Sequence, residues 1–265
     1  MVTVPAVDSE LAADVLWSHG VLAVEERAVR GSTAVELWTS VGDDVDAVTV
    51  TNDLPASCSV RFVEVDDAVV DTWREFAEPT WVEPDLVVCP MWKTFDGPPE
   101  TTVIRIEPGV TFGMGDHPTT QLTMRALRRV VRPGDRVLDV GCGSGVLTIA
   151  AVLFGAASAH GVDIALASVL ITTANAAANG VSDRVTVSND PLQLVEGSYD
   201  VVLANILAPT LIDLAGDLRR VVAPGGTVII SGILADNHQH VLEALAPLQR
   251  VDALELDVWV AIALR

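Results

Sequence analysis

Lysine is nearly missing from this sequence. Lys93 is the single lysine in 265 residues, and Lys and Arg together number 16 against 36 Asp and Glu, a formal net charge of -20. A chain that grips RNA or DNA needs a basic stripe to neutralise phosphate, so direct nucleic-acid binding is not expected and a basic partner is the natural counterpart. A generally acidic solvated surface has the same composition, so charge alone leaves both readings open. Cysteine is also sparse. Cys58, Cys89 and Cys142 are odd in number and scattered, which suits a reducing cytosol better than a disulfide framework, and they offer no zinc-type Cys/His spacing. No apolar run reaches the roughly 18 residues of a membrane span. Met1 to Glu10 lacks a basic region followed by an apolar stretch, so neither secretion nor membrane insertion is expected, and a cytoplasmic place is. What is present is apolar material: half of the chain is hydrophobic, enough for one large domain, or an ordinary one with a small companion.

Three regions differ in pattern. Residues 1–66 alternate short signals, strand over Val2 to Val7, helix from Ser9 to near Gly20, strands at Val21 to Glu25 and Ala34 to Thr39, helix over Asp43 to Asn52 and strand from Ser59 to Val65. The order βαββαβ predicts a small ferredoxin-like α+β module. Residues 1–70 hold three basic residues against 13 acidic ones, half of the net charge in about a quarter of the chain. Residues 67–100 carry Trp73, Trp81 and Trp92 among Pro79, Pro84, Pro90, Pro98 and Pro99, which reads as an irregular connector packed by its aromatics. Residues 101–265 alternate strand and helix. Strands are expected at Arg136 to Val140, Ala159 to Asp163, Arg184 to Ser188, Tyr199 to Asn205 and Thr227 to Ser231, and helices at about 118–131, 145–155, 165–178, 209–222 and 236–246. This predicts an α/β domain with a mostly parallel sheet, closed by an antiparallel edge from Leu254 to Leu264, with ligands outside the carboxyl ends of its strands.

The first of those ends carries the main motif. Val137-Leu-Asp-Val140 is an apolar strand with an acid in it, and Gly141-Cys-Gly-Ser-Gly145 follows directly before the apolar helix Val146 to Ala151. Glycines let the backbone turn tightly and approach a ligand, and the helix N-terminus beyond them offers N–H groups to an anion. A dinucleotide site reads G-x-G-x-x-G. Here the spacing is G-x-G-x-G with an acid two residues ahead, and Asp163 ends the next strand 22 residues beyond Gly141, where a carboxylate can accept both ribose hydroxyls of an adenosine. The combination favours S-adenosylmethionine, whose methionine carboxylate is then the anion, over a dinucleotide. Asp190 is placed either to reach the adenine amino group or to begin a turn with Pro191.

Two more segments sharpen the pattern. Glu107-Pro-Gly-Val-Thr-Phe-Gly-Met-Gly-Asp-His-Pro-Thr-Thr120 precedes a helix just before the glycine motif, and Asn205-Ile-Leu-Ala-Pro209 ends a strand at the sheet edge. With Asp139 to Gly145 and Ser231-Gly-Ile-Leu234, these resemble the ribosomal protein L11 methyltransferase family, PrmA, densely from about residue 101 to 235, less so at the C-terminus, and before residue 70 by element order more than by motifs. The resemblance implies a class I methyltransferase domain behind a ferredoxin-like substrate-recognition module and a linker, with S-adenosylmethionine as cofactor. It implies methylation of amino groups, lysine side chain or N-terminal amine, of a basic protein, ribosomal protein L11. It also implies that Thr120, Gly141, Asp163 and Asn205 contact the cofactor or lie beside its methyl group. The motifs around them add Asp139, Cys142, Gly143, Ile164 and Asp190 as cofactor-binding candidates, and Phe112 and His117 on the substrate side. Met114 departs from the family, which usually has threonine between the glycines of its Phe-Gly-x-Gly segment. His117 is placed either to act as a base or to cap the helix beginning at Pro118.

Methyl transfer from a sulfonium needs alignment more than acid-base machinery. An amine must arrive neutral, against an ordinary lysine pKa near 10.4, and the Asn205 carbonyl can orient it without adding a charge that holds its proton. Asn205 is therefore the expected catalytic residue, with capping of the strand end or of the helix near Pro209 as its alternative role. The segment lacks the two prolines of the Asn-Pro-Pro-aromatic motif of enzymes that methylate base amino groups, a second point against nucleic acid. Asp236, His238 and His240 alternate along an expected helix and face different sides, so no metal site is expected. A monomer is expected. The competing reading is a small-molecule amine methyltransferase in which residues 1–66 form a lid.

Overall fold

The computed structural model describes residues 1–18, 21, 24–29, 32–39, 47–62, 77–107 and 115–265. The chain divides into two compact units, Met1–Phe76 and Ala77–Arg265. The first contains β1 (Val2–Pro5), α1 (Ser9–Ser18), β2 (Glu25–Ala28), β3 (Ala34–Trp38), α2 (Ala47–Asp53) and β4 (Ser59–Val60). Its strands form an antiparallel sheet in the order β2-β3-β1-β4. Alternation places Val2 and Val4 of β1 and Val35 and Leu37 of β3 on one buried face, where they meet Ala12, Leu16, Val50 and Leu54.

The second unit opens with β5 (Thr80–Glu83), β6 (Leu86–Pro90) and β7 (Thr102–Ile106). These form a three-stranded sheet in chain order, β5 antiparallel and β7 parallel to β6. Where it is described, the irregular connector expected over 67–100 contains two strands, β5 and β6, with irregular backbone around them. Pro84 lies in the turn between β5 and β6 and Pro90 closes β6, so the prolines bound the strands rather than interrupt them. Between them Leu86, Val87, Val88 and Cys89 are fully buried. Residues 63–76 lie outside the described residues.

Then follow α3 (Pro118–Val130), β8 (Arg136–Val140), α4 (Val146–Leu153), β9 (Ser158–Val162), α5 (Leu166–Ala178), β10 (Val185–Ser188), β11 (Tyr199–Asn205), α6 (Ala208–Asp213), α7 (Ala215–Val221), β12 (Val222–Leu234), α8 (Gln239–Ala244), β13 (Arg250–Leu256) and β14 (Trp259–Leu264). The helix expected over 209–222 is two helices that meet at Leu214, and Asp236 and His238 precede α8 rather than lying in it. Seven strands form one sheet, β10-β9-β8-β11-β12-β14-β13, in which the first five are parallel and β14 and β13 supply the antiparallel edge. Alternate residues serve opposite faces: Val201 and Leu203 of β11 join the core that includes α3 and α4, while Val202 and Ala204 join the core that includes α6 to α8. Chain order runs outward from β8 to β10 and then returns to β11 on the other side of β8. The carboxyl ends of β8 and β11 therefore flank the switch point, where an open α/β sheet holds its ligand. Among the described residues no helix is long and apolar enough to cross a membrane.

Candidate functional site

Asp139 shares a face of β8 with Val137, toward α4. It is 1% exposed, and its Oδ2 accepts a 2.6 Å hydrogen bond from the Thr148 hydroxyl of α4. Its other oxygen, Oδ1, is buried without a hydrogen-bond partner among the described residues. Burial pushes this carboxyl up to about 6, with Thr148 pulling it down and the charge of Asp163 adding to the rise. Since that value lies above the 3.8 of an unperturbed carboxyl, ionised Asp139 costs stability, a cost that develops as pH rises through about 6 unless a donor or cation meets Oδ1.

The glycine turn after β8 is tied to its neighbours by its own backbone. Gly141 and Cys142 both donate N–H to the Val162 carbonyl, at 2.8 and 3.1 Å, which joins the ends of β8 and β9. Gly143 donates to Asp163 Oδ2 at 2.9 Å, and Ala165 donates to Asp163 Oδ1 at the same distance. Each carboxylate oxygen has about two lone pairs, so Asp163 stays able to accept one further donor on each. Ile164 is 90% exposed beside it. The carbonyl side of the turn faces α5, where Thr172 donates to Gly143 O at 3.0 Å and Asn175 to Ser144 O at 2.8 Å. Cys142 is buried and its thiol is pushed far above the usual range by that burial, so it stays a neutral packing group.

Asn205 ends β11 directly beside β8, half-buried, with Ala204 paired to Val140 in register. The next residue, Ile206, is a wedge. A methyl group on Gly141 would come within 2.7 Å of Ile206 Cγ2, and one on Gly232, in the bulge of β12, within 2.5 Å of the Ile206 carbonyl oxygen. The ends of β8, β11 and β12 thus close around one residue. Gly232 also has φ +83°, left-handed backbone that a side chain opposes. Gly232→Ala should therefore cost at least about 1–2 kcal/mol from conformation alone, more once Ile206 is displaced. Urea unfolding measures this, and a loss below that range would mean the bulge relaxes freely.

Thr120, in the first turn of α3, is 1% exposed with an Oγ1 that has no partner among the described residues. Asp139 Oδ1, Thr101 Oγ1, Ser188 Oγ and His238 Nδ1 are likewise buried without a partner among the described residues. His117 caps α3: its Nδ1 accepts from Thr119 N at 3.3 Å and lies 2.8 Å from Thr119 Oγ1, with the ring edge-to-face against Trp259. With Nδ1 accepting, the ring proton sits on Nε2 and the basic lone pair is engaged, which favours the cap over the base. Phe112 and Met114 lie outside the described residues. Asp190 is exposed and lines an open cavity of about 400 Å³ with Arg136, His160, Thr186, Glu196 and Tyr199. That lining includes none of Asp139, Gly141, Asp163 or Asn205. The sequence reading missed Thr148, Thr172, Asn175 and Ile206, whose roles depend on partners distant in sequence or on the shape of a turn. A hydroxyl or an amide buried on a helix facing a glycine turn was the available signal.

Known proteins share this arrangement of sequence and fold. The family model described as "Ribosomal protein L11 methyltransferase (PrmA)" matches residues 21–265. A ribosomal protein L11 methyltransferase of Geobacter sulfurreducens is 48% identical over 171 residues, 64% of this chain and 56% of that protein. One of Exiguobacterium sp. is 38% identical over 210 residues, 78% of this chain and 67% of that protein. The chain thus spans little more than half the length of the first of these relatives. A crystal structure of ribosomal protein L11 methylase from Lactobacillus delbrueckii subsp. bulgaricus superposes with a TM-score of 0.67 at 33% identity, covering 71% of this chain and 98% of that one.

Proposed function

The chain belongs to the ribosomal protein L11 methyltransferase family, and from that premise we propose that it transfers methyl groups from S-adenosylmethionine to amino groups of ribosomal protein L11. We read the acceptors as lysine side chains, the N-terminal amine, or both, and the enzyme as a cytoplasmic monomer that binds neither nucleic acid nor membrane. The observation that carries this reading is Asp139 Oδ1, buried before the glycine turn without a hydrogen-bond partner among the described residues. A buried polar group without a partner costs about 1–3 kcal/mol, so this oxygen fits a polar ligand that completes it.

Bound there, S-adenosylmethionine supplies an activated methyl group on a sulfonium. Asp139 Oδ1 suits the ammonium of its methionine end, which would also offset the cost of ionising that carboxyl. The spare lone pairs of Asp163 suit the ribose hydroxyls, the exposed side chain of Ile164 suits a flat apolar face, and Gly141, Cys142 and Gly143 form the wall. Asn205 would hold the neutral acceptor nitrogen by accepting one of its N–H groups with the side-chain carbonyl, and the bound sulfonium would supply the methyl group, the carbon–sulfur electron pair going to sulfur and the surplus proton to water. A neutral asparagine suits this task, because a carboxylate would favour the protonated, unreactive amine.

The first compact unit reads as a ferredoxin-like docking domain for the basic substrate, since residues 1–70 hold half of the net charge. The rival is a small-amine methyltransferase in which that unit is a lid. Incubation with labelled S-adenosylmethionine, ribosomal protein L11 and a panel of small amines separates them: label should enter the protein. Asn205→Ala should lower kcat by about tenfold to a hundredfold, the worth of one hydrogen bond that becomes charge-assisted as the acceptor nitrogen gains positive charge in the transition state, while the cofactor dissociation constant changes little. Equal losses in both would make Asn205 a cofactor ligand only.

A further inference from the structure

Asn175 and Asn179 stand four residues apart at the end of α5, on one face. Each grips one residue of the segment at β7 through both of its peptide groups. Asn179 accepts from Arg105 N at 2.9 Å and donates to Arg105 O at 2.7 Å. Asn175 accepts from Glu107 N and donates to Glu107 O, both at 2.9 Å. A carboxamide has the donor and acceptor of a peptide, and one helical turn, about 5.4 Å, approaches the roughly 6.6 Å between alternate residues of a strand. The two side chains therefore serve as a neighbouring strand on the open edge of β7. Their second amide hydrogens go to different places. Asn179 donates its own to Asn175 O within the helix, at 2.8 Å, whereas Asn175, which is fully buried, donates to Ser144 O in the glycine turn, at 2.8 Å.

We propose that Asn175 is a positioning residue that fixes the glycine turn and Glu107, where the 107–120 segment leaves β7, as one unit, and so sets cofactor affinity without touching the cofactor. Thr172 is its companion one turn earlier, holding Gly143 O. Asn179 is the internal control, because it makes the same number of bonds and anchors the same strand but does not reach the turn. The proposal rests on reading the glycine turn as the cofactor site.

The test is calorimetric titration of S-adenosylhomocysteine into full-length wild type, Asn175→Ala and Asn179→Ala, with thermal unfolding of all three. Both variants should lose similar thermal stability. Asn175→Ala should raise the dissociation constant about tenfold, and Asn179→Ala by less than about twofold, since only the first frees a carbonyl of the turn. In steady state the KM for the methyl donor should rise in Asn175→Ala with kcat kept within about threefold. Equal affinity changes in the two variants, or none in Asn175→Ala, would overturn the proposal. Wild type that does not bind S-adenosylhomocysteine would instead overturn the cofactor reading beneath it. Should Asn175→Ala not fold, amide-resolved hydrogen exchange on wild type decides. Bound S-adenosylhomocysteine should slow exchange at Glu107 N–H together with the glycine turn and leave Arg105 N–H unchanged, and an unchanged Glu107 amide would refute the coupling.

Discussion

Asp163→Ala should raise the dissociation constant of S-adenosylmethionine at least about tenfold, since two ribose hydroxyls lose a charged acceptor and each such bond is worth roughly 1.5–3 kcal/mol. The structure adds a second source of loss. The same carboxylate accepts the backbone N–H of Gly143 and of Ala165, both at 2.9 Å, so its removal also unties the glycine turn from the start of the loop before α5. Asp163→Asn separates the two contributions in part, since it keeps one acceptor oxygen and loses the charge, and it should fall between wild type and alanine. Calorimetry on folded protein measures both, and unchanged affinity in Asp163→Ala would remove this residue from the cofactor site.

The larger expected effect is on the protein substrate. A chain lacking residues 1–76 should bind S-adenosylmethionine within about threefold of the full-length affinity yet methylate ribosomal protein L11 at least about a hundredfold more slowly, with the full-length rate falling as salt rises. The boundary follows the two compact units: among the described residues, one hydrophobic cluster is built from residues between Val2 and Val60 and the other two from residues from Val82 onward. The second unit keeps both clusters when the first is removed. Docking through an acidic surface acts at longer range than packing, but charges more than about 8–10 Å apart are screened near physiological ionic strength. A truncated chain that still methylates the ribosomal protein at the full rate would make the first unit a lid or a stabilising cap.

Much of the α/β domain could be read before the structure was at hand, because its signals are local. Arg136–Val140 and Tyr199–Asn205 coincide with their expected bounds, and the glycine turn and Asp163 lie at the strand ends where the alternation puts them. The cap role of His117 was legible as one of two readings, from the proline that follows it. What escaped was of two kinds. Residues 67–100 look irregular when prolines are averaged over the stretch, yet Pro79, Pro84 and Pro90 stand at strand limits, and the buried run Leu86 to Cys89 between Pro84 and Pro90 was the better guide. Asn175 and Asn179 read as ordinary polar residues of a helix, since their partners Arg105 and Glu107 lie some 70 positions away and only the fold brings them into reach. The same holds for Thr148, whose bond to Asp139 needs β8 and α4 to be stacked first.

Ile206 also bears on how this sequence can change over generations. Within the protein, the obstacle to a side chain at Gly141 is a methyl of Ile206, which a smaller residue at 206 would remove, leaving the left-handed backbone at φ +75° and the proposed cofactor wall to be met. At Gly232 the obstacle is the main chain of Ile206, its oxygen, carbon and nitrogen, and no choice of amino acid at 206 takes that away. Drift at 141 is thus conditional on what has already happened at 206, while 232 has no route through its neighbour. Two glycines that look equivalent in a motif differ in history: the first can be reached in a fixed order of steps, and the second is closed in either order.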